Sequence, residues 1–369
     1  MRVREEHRVT LVLDQVRKDV GAETHIRDVS LTLESGTLNV LLGATLSGKT
    51  SLMRLMAGLD APTKGRILVN GSDVTGRAVQ RRSVAMVYQQ FINYPSLSVY
   101  ENIASPLRVA GLPRAEIESR VRDAAKLLKL EPYLDRRPLN LSGGQQQRTA
   151  LARALVKQAD LVLLDEPLAN LDYKLREELR EELPRVFAAS GAIFVYATTE
   201  PQEALLLGGR TATLFEGRVT QFGPTPLVYR EPQDLTTARV FSDPPLNILK
   251  ARKGGHDIAL STGGDIRAAG VFAAVPDGTY SVGFRAHHLS LDPIPGQAIT
   301  LSAHVSVAEI TGSESFVHLD VGQHRFVALV PGVRRLEPGS GVVAYLDPSR
   351  VFLFDEAGRL AASALAKAA

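Results

Sequence analysis

A doubly wound α/β unit followed by an all-β unit is the fold class that the sequence predicts, and three observations predict it. Over the first part, apolar β-type runs (NVLLG, LVLLD, IFVYA) alternate with helical patterns (TSLMRLMAGL, RTALARALV, KLREELREELPRVF), the cadence of a parallel sheet covered by helices. After about Phe241 the texture changes. SDPPLN is turn-rich, and beyond it come short alternating segments: HDIALST, TYSVGFR, SFVHLDV, RFVALV, VVAYLD and VFLFD, separated by GG, PDG, PG and DP turns. Finally, 369 residues exceed what one core commonly fills, roughly 250 to 300 residues. The expected division is an α/β domain over 1–240, with a mainly helical insert at about 91–140, and a β-rich, OB-like domain over 241–369. The tail AASALAKAA reads as a frayed terminal helix.

Composition narrows the function classes. Hydrophobic residues at 44% and charged residues at 22% are ordinary for a globular protein and exclude a disordered chain. No apolar run approaches the roughly 18 residues that cross a bilayer. The start, MRVREEHRVT, carries charges and no apolar export region, so a cytoplasmic location is expected. The absence of cysteine excludes disulfides, thiolate metal sites and cysteine nucleophiles. Because 43 Lys+Arg nearly balance 40 Asp+Glu, the surface reads as mixed and solvated rather than as a nucleic-acid footprint. Of eight histidines, His7 and His25 lie near the start and the rest from His256 onward, so nothing between Ile26 and Gly255 can use imidazole chemistry.

The buried-strand candidate Leu38–Gly43 runs straight into GATLSGKT, Gly43 to Thr50, which matches GxxxxGK followed by Ser or Thr. A helix follows, with Leu52, Leu55, Met56 and Leu59 on one face. Phosphate binding needs these residue types. Glycines let backbone N–H groups close around phosphate oxygens, Lys49 neutralises charge, and the Thr50 hydroxyl suits a Mg²⁺ shell.

Downstream, DLVLLDEP (Asp160–Pro167) places adjacent acids where a parallel strand should emerge at its carboxyl end, the ligand-binding edge of open α/β sheets. Side chains alternate across a strand, so Asp165 can serve Mg²⁺ through water while Glu166 serves an attacking water. Alone, the pair would be read more simply as an N-cap and a solvated acid. Between the two lies LSGGQQQR, Leu141 to Arg148. Ser142 and Gln145 have capping-box spacing, and Gly143 and Gly144 leave helix N-terminal amides open to an anion.

Taken together, GATLSGKT, Gln89 of VAMVYQQ, LSGGQQQR, LVLLDEP and the following ANLD resemble the ATP-binding subunit of ABC transporters, over nearly all of Leu11 to Gly223. The motif order and the β-rich C-terminal part, with GFRAHHLSL and EITGSESFVHLDV, look most like the bacterial subgroup importing sugars, polyols and glycerol phosphates. In that subgroup a TOBE-type, OB-like domain follows the ATPase. FINYPSLSVYENIASPLRVAG further resembles ATPases of glycerol uptake systems.

The resemblance implies ATP and Mg²⁺ as ligands. Gly43, Ala44, Thr45, Leu46, Ser47, Gly48, Lys49, Thr50 and Ser51 would hold ATP, with Val20 at the adenine. Thr50, Gln89 and Asp165 would hold the metal, and Glu166 would act on water. It also implies a head-to-tail dimer in which Ser142, Gly143, Gly144 and Gln145 contact the partner's ATP and Asp172 reaches across the interface. The helical insert would receive a short helix of a permease subunit at the cytoplasmic face of the inner membrane. A separate solute-binding protein would complete the complex, and no nucleic acid takes part.

Three positions depart from the family pattern. Thr199, in VYATTEPQEAL, stands where the family has a histidine, and no histidine lies nearby. Val20 stands where an aromatic ring would stack on adenine. Leu46 replaces a third glycine of the phosphate loop, which strains the backbone if that residue needs positive φ.

All three fall on the half-site this chain contributes through its phosphate loop, while LSGGQ and Glu166 are intact. Two readings stand. In one, the chain is the degenerate-site partner of a different ATPase subunit and its own pocket turns over slowly. In the other it is a homodimer that tolerates Thr199, its hydroxyl contacting the γ-phosphate. ABC-type ATPases of DNA repair or translation usually carry coiled coils, zinc sites or duplicated units, none of which is evident here. A soluble, nucleotide-dependent regulatory ABC protein is a further alternative, against which Glu166 argues. The OB-like part reads as regulatory or dimer-packing, since it lacks an aromatic stacking ladder.

Overall fold

Leu38–Leu42 is buried at every residue, as expected of a strand covered on both faces. It lies at the centre of the first of two units seen in a computed structural model, which describes residues 9–169, 171–296 and 298–364. Contacts divide the chain at Thr225/Pro226. The two short helices just beyond that point, placed in the first domain by the sequence pattern, group by contacts with the second.

In chain order the first unit contains β1 (Thr10–Val20), β2 (Glu23–Glu34), β3 (Leu38–Leu42), α1 (Lys49–Ala57), β4 (Lys64–Val69), β5 (Ser72–Asp73), β6 (Val84–Val87), α2 (Val99–Val109), α3 (Arg114–Leu127) and α4 (Gly143–Val156). It continues with β7 (Leu161–Asp165), α5 (Tyr173–Ser190), β8 (Ile193–Thr198), α6 (Pro201–Leu207), β9 (Arg210–Phe215) and β10 (Arg218–Pro224). The central sheet runs β10-β9-β3-β8-β7-β6, parallel except for the β9–β10 hairpin. Leu42 pairs with Thr198 and Asp165 with Ala197. The segments that follow β3, β7 and β8 therefore leave the sheet at one edge, where such sheets bind ligands.

A second, antiparallel sheet, β2-β1-β4-β5, was not foreseen from the alternating texture. RKDVGAETH, polar as a loop would be, is a hairpin in which Val20 pairs with Glu23 across Gly21–Ala22, and Gly21 takes φ 60° as a tight turn requires. α1 stops at Gly58, at φ 77°, so Leu59 lies past the cap rather than on the helix; the buried face is Leu52, Met53, Leu55 and Met56. The insert is helical: α2 opens with a capping box of Ser98 and Glu101. The Asn102 amide donates to the carbonyls of Tyr94, Leu97 and Ser98 and fastens the approach to α2.

The second unit begins within α7 (Thr225–Arg230), followed by α8 (Leu235–Val240), β11 (Asn247–Gly254), β12 (Asp257–Leu260), β13 (Asp265–Arg267), β14 (Gly278–Phe284) and β15 (Leu289–Ser290). Then come β16 (Ile299–Ile310), β17 (Glu314–Val321), β18 (His324–Pro331), β19 (Gly341–Leu346), β20 (Phe352–Phe354) and β21 (Leu360–Ser363). They form two antiparallel sheets, β13-β12-β11-β14-β20-β21 and β15-β19-β16-β17-β18. Alternate residues of both sheets, such as Leu249, Val282, Val305 and Leu319, share one apolar core. The start of the tail departs from the helical expectation, since Leu360–Ser363 pairs with β20 as a strand; its remaining part, 365–369, lies outside the described residues. Among the described residues, no helix is long and apolar enough to cross a membrane.

Candidate functional site

The phosphate-loop segment Gly43–Thr50 links β3 to α1, and its floor is clamped from below. A β-carbon on Gly43 would sit 2.5 Å from Leu214 O and from Ser47 Oγ, so only glycine fits. Gly217 N, in the β9–β10 turn, donates to Ser47 O at 2.9 Å, and Gly48, at φ 104°, lies against His25 O of β2. Leu46 takes φ 67° and is 96% exposed. Lys49 is buried, and its Nζ donates to Gly43 O at 2.7 Å and Ala44 O at 3.0 Å. Burial pushes the Lys49 pKa down, against the pull of Glu166 at 3.8 Å and of Asp165. The buried Ser47 Oγ has no hydrogen-bond partner among the described residues. A buried ammonium held by two carbonyls and drawn by a carboxylate at 3.8 Å, beside a hydroxyl unpartnered among the described residues, fits a phosphate group as a further partner. Ser51 follows in the first turn of α1.

Thr50 Oγ1 donates to Asp165 Oδ2 at 2.7 Å. Asp165 is the buried last residue of β7, and its pKa is raised first by burial, with the Thr50 bond and Lys49 opposing. Hydroxyl and carboxylate are oxygen donors of the kind that suits Mg²⁺ with water, whereas Gln89, expected beside them, is placed by its bond to Glu166. Among the described residues no group of three or more His, Asp or Glu could hold a metal by itself.

Glu166 leaves the strand at φ 47°, with its N–H on Ala197 O at 3.0 Å. That turn of the backbone, rather than strand alternation, separates it from Asp165. Gln89 Nε2 donates to Glu166 Oε2 at 3.0 Å, and Gln147 Nε2 of α4 donates to Glu166 O at 3.4 Å. The Glu166 pKa is raised, chiefly by burial; Lys49 opposes, and Asp165, Glu203 and Glu200 add to the rise. An oriented carboxylate with a raised pKa is a competent proton acceptor for water. Gln147 was missed from the sequence; the third glutamine of LSGGQQQR was its only signal.

Thr198, which ends β8, and Thr199, just past it, divide their work. Thr198 is buried and donates to Glu203 Oε2 at 2.5 Å, while Tyr196 OH donates to Oε1 at 2.7 Å. Arg180 of α5 approaches the same carboxylate at 3.6 Å and Glu200 at 3.0 Å. Thr199 is exposed, and its side chain makes no hydrogen bond among the described residues. Nothing in the sequence singled out Glu203, whose role depends on Arg180 arriving from a separate helix. Val20 closes the β1–β2 hairpin, 48% exposed.

Ser142 caps α4 in a reciprocal box: Gln145 N donates to its Oγ at 3.4 Å, and Ser142 N donates to Gln145 Oε1 at 2.9 Å. Ser142 and Gly143 are exposed, and a β-carbon on Gly143 would meet only Phe91 Cζ, at 3.9 Å. Gly144 is partly exposed. Asp172 is exposed and caps α5, accepting from Leu175 N at 3.0 Å. Asn170 of ANLD lies outside the described residues.

Comparison with known proteins gives the family. The ABC transporter family model matches residues 26–169, and the TOBE domain model matches 299–353. The chain is 35% identical to the trehalose/maltose import ATP-binding protein of Thermococcus litoralis, over 93% of this chain and 97% of that one. It is 34% identical to an sn-glycerol-3-phosphate import ATP-binding protein of Burkholderia ambifaria, over 95% and 99%. The lactose transport ATP-binding protein of Rhizobium radiobacter is 34% identical, over 94% and 98%. Among solved structures, a dimeric ATP-binding cassette in a post-hydrolysis state with ADP and Pi matches with TM-score 0.54 and 28% identity, covering 58% of this chain and 98% of that one. On motif geometry, end-to-end similarity and the paired family models, this chain belongs to the ATP-binding subunits of ABC transporters, the ATPases whose hydrolysis is coupled to transport.

Proposed function

We propose that this chain hydrolyses ATP with Mg²⁺ to power uptake of a carbohydrate-class solute, and that it does so as the degenerate-site partner of a second ATP-binding subunit. The solute class, a sugar, polyol, glycerol or glycerol phosphate, is supported by the names of its relatives. Thr50, Asp165 and Gln89 would hold the metal, which when bound supplies positive charge to the phosphate oxygens. Lys49 and the loop amides of residues 43–50 bind and orient the phosphates. Glu166, held by Gln89 and Gln147, takes the proton from water.

Docking on permease subunits is supported by a groove of about 520 Å³ between the helical insert and the sheet. Tyr94, Leu97, Pro106, Val109 and Arg153 line it, and Val109 is 90% exposed at its rim. A short permease helix seated there would hold the chain at the cytoplasmic face of the bacterial inner membrane. Solute recognition would fall to the permease and to a separate solute-binding protein.

The observation that carries the unequal pairing is Thr199. The edge that should present an imidazole presents an exposed hydroxyl, while the LSGGQ half is complete. Losing one preorganised polar stabiliser costs about 10²- to 10³-fold in rate. In the assembled transporter, replacing Ser142 or Gly143 is expected to abolish coupled hydrolysis, whereas Glu166→Gln should only dent it; equal loss from both would sink the reading. The same free Thr199 hydroxyl favours a second reading, a homodimer in which it contacts the γ-phosphate. Brisk ATPase activity from the purified chain alone would favour that one.

A further inference from the structure

Leu46 is the residue of the phosphate loop least suited to the place it occupies. Ser47 N donates to Ala44 O at 3.1 Å, which closes a four-residue turn with Thr45 and Leu46 at its centre. With φ 67° at its third residue, the turn is one that calls for glycine there. A leucine enters the left-handed region only at a cost, because its β-carbon crowds the following carbonyl oxygen. Packing does not offset that cost, since the side chain is 96% exposed and Ala44 and Thr45 are exposed beside it. Residues further along are held differently: Ser47 is buried, and Gly48 lies against β2. The strained conformation is therefore confined to the one exposed turn. Left-handed residues alternating with ordinary ones also make successive N–H groups converge on an anion.

We propose that Leu46 sets the nucleotide affinity of this pocket. Phosphate binding requires residue 46 in the left-handed conformation described above, and without nucleotide the exposed, unpacked turn holds that conformation for only part of the time. ATP consequently binds about fivefold to thirtyfold more weakly than it would to the same loop with glycine at 46, which is about 1–2 kcal/mol at 1.4 kcal/mol per tenfold. The inference concerns affinity at this chain's own loop and holds whether the partner subunit is identical or different.

The test is calorimetric titration of the purified full-length chain with ATP, paired with thermal unfolding of the nucleotide-free protein. Leu46→Gly is expected to tighten binding fivefold to thirtyfold without raising the nucleotide-free unfolding temperature. Leu46→Asn, which tolerates the left-handed region, should recover part of the gain. Leu46→Ala, which removes bulk but keeps the β-carbon, should gain less than about twofold. If Leu46→Gly does not fold, the order of asparagine above alanine carries the same test. Equal gains for alanine and glycine would assign the effect to side-chain bulk and overturn the proposal. So would a stability gain in Leu46→Gly at unchanged affinity, since the strain would then reside in the fold. Brisk hydrolysis by the wild-type chain alone would argue against the unequal pair while leaving this affinity order untouched.

Discussion

The phosphate-loop half and the signature half of the first unit solve the same task, presenting backbone N–H groups to an anion, by opposite means. At the signature end the helix start is regular: a capping box, an extended N-cap and a glycine that nothing crowds. At the phosphate loop, backbone and side chains are held against their preferences. Leu46 and Glu166 take positive φ, Lys49 is buried and Gly43 has no room for a β-carbon. The difference shows where tertiary packing is spent. An open face awaiting a partner can be specified by local sequence, whereas a pocket that desolvates charge needs neighbours from β2, β7 and the β9–β10 turn to hold it.

The comparison breaks most visibly at its glycines. Gly43→Ala would drive a β-carbon to 2.5 Å from the Leu214 carbonyl, and a loss of about 3 kcal/mol or more in urea unfolding is expected. Gly143→Ala, with its nearest neighbour at 3.9 Å, should change stability by less than about 0.5 kcal/mol. Similar losses at both positions would erase the distinction.

A pH series sharpens it next. Asp165 and Glu166 carry raised pKa values, so the native state binds protons more tightly than the unfolded chain. Their contribution to stability is most favourable below the ordinary carboxylate range and is lost as pH rises through the raised values. The double change Asp165→Asn, Glu166→Gln should therefore stabilise the nucleotide-free protein at pH 8, by about 2 kcal/mol, and much less at pH 4. Urea unfolding at the two pH values measures this, and a gain independent of pH would count against a buried-charge origin.

The smallest effect belongs to the signature end. Ser142→Ala removes one cap and should cost about 1 kcal/mol of stability by chemical denaturation. A loss near that expected for Gly43→Ala would mean that the exposed helix start is held by more than its local box.

Legibility followed the same line. The phosphate loop, LSGGQ and the paired acids could be read because each is a run of adjacent residues whose types match a local geometry, and Gln89 was placed by the family pattern; the structure brings Gln89 to 3.0 Å from Glu166. The six alternating segments of the second part are strands for a similar reason, since a period of two is written into neighbouring residues. The antiparallel sheet was not legible, because β1 pairs with β4 some fifty residues away and RKDVGAETH has the polarity of a loop. The start of the tail misled for a related reason: AASALAKAA has helix propensity, yet pairing with β20 overrides it over its first three residues, 361–363.

The sequence by itself determined the chemistry on offer: a lysine and a hydroxyl after a glycine-rich turn, two acids after a strand, a capped LSGGQ helix, and a hydroxyl where an imidazole would be expected. Only the tertiary structure decided how these groups are used. It assigned Thr198 rather than Thr199 to the buried Glu203, turned Glu166 away from Asp165 by a left-handed backbone at Glu166 itself, and placed Leu46 in a turn that favours glycine. The physical reason is that composition and spacing set which hydrogen bonds and charges are available, while burial and backbone dihedrals, which set their strength, come from residues far apart in the chain.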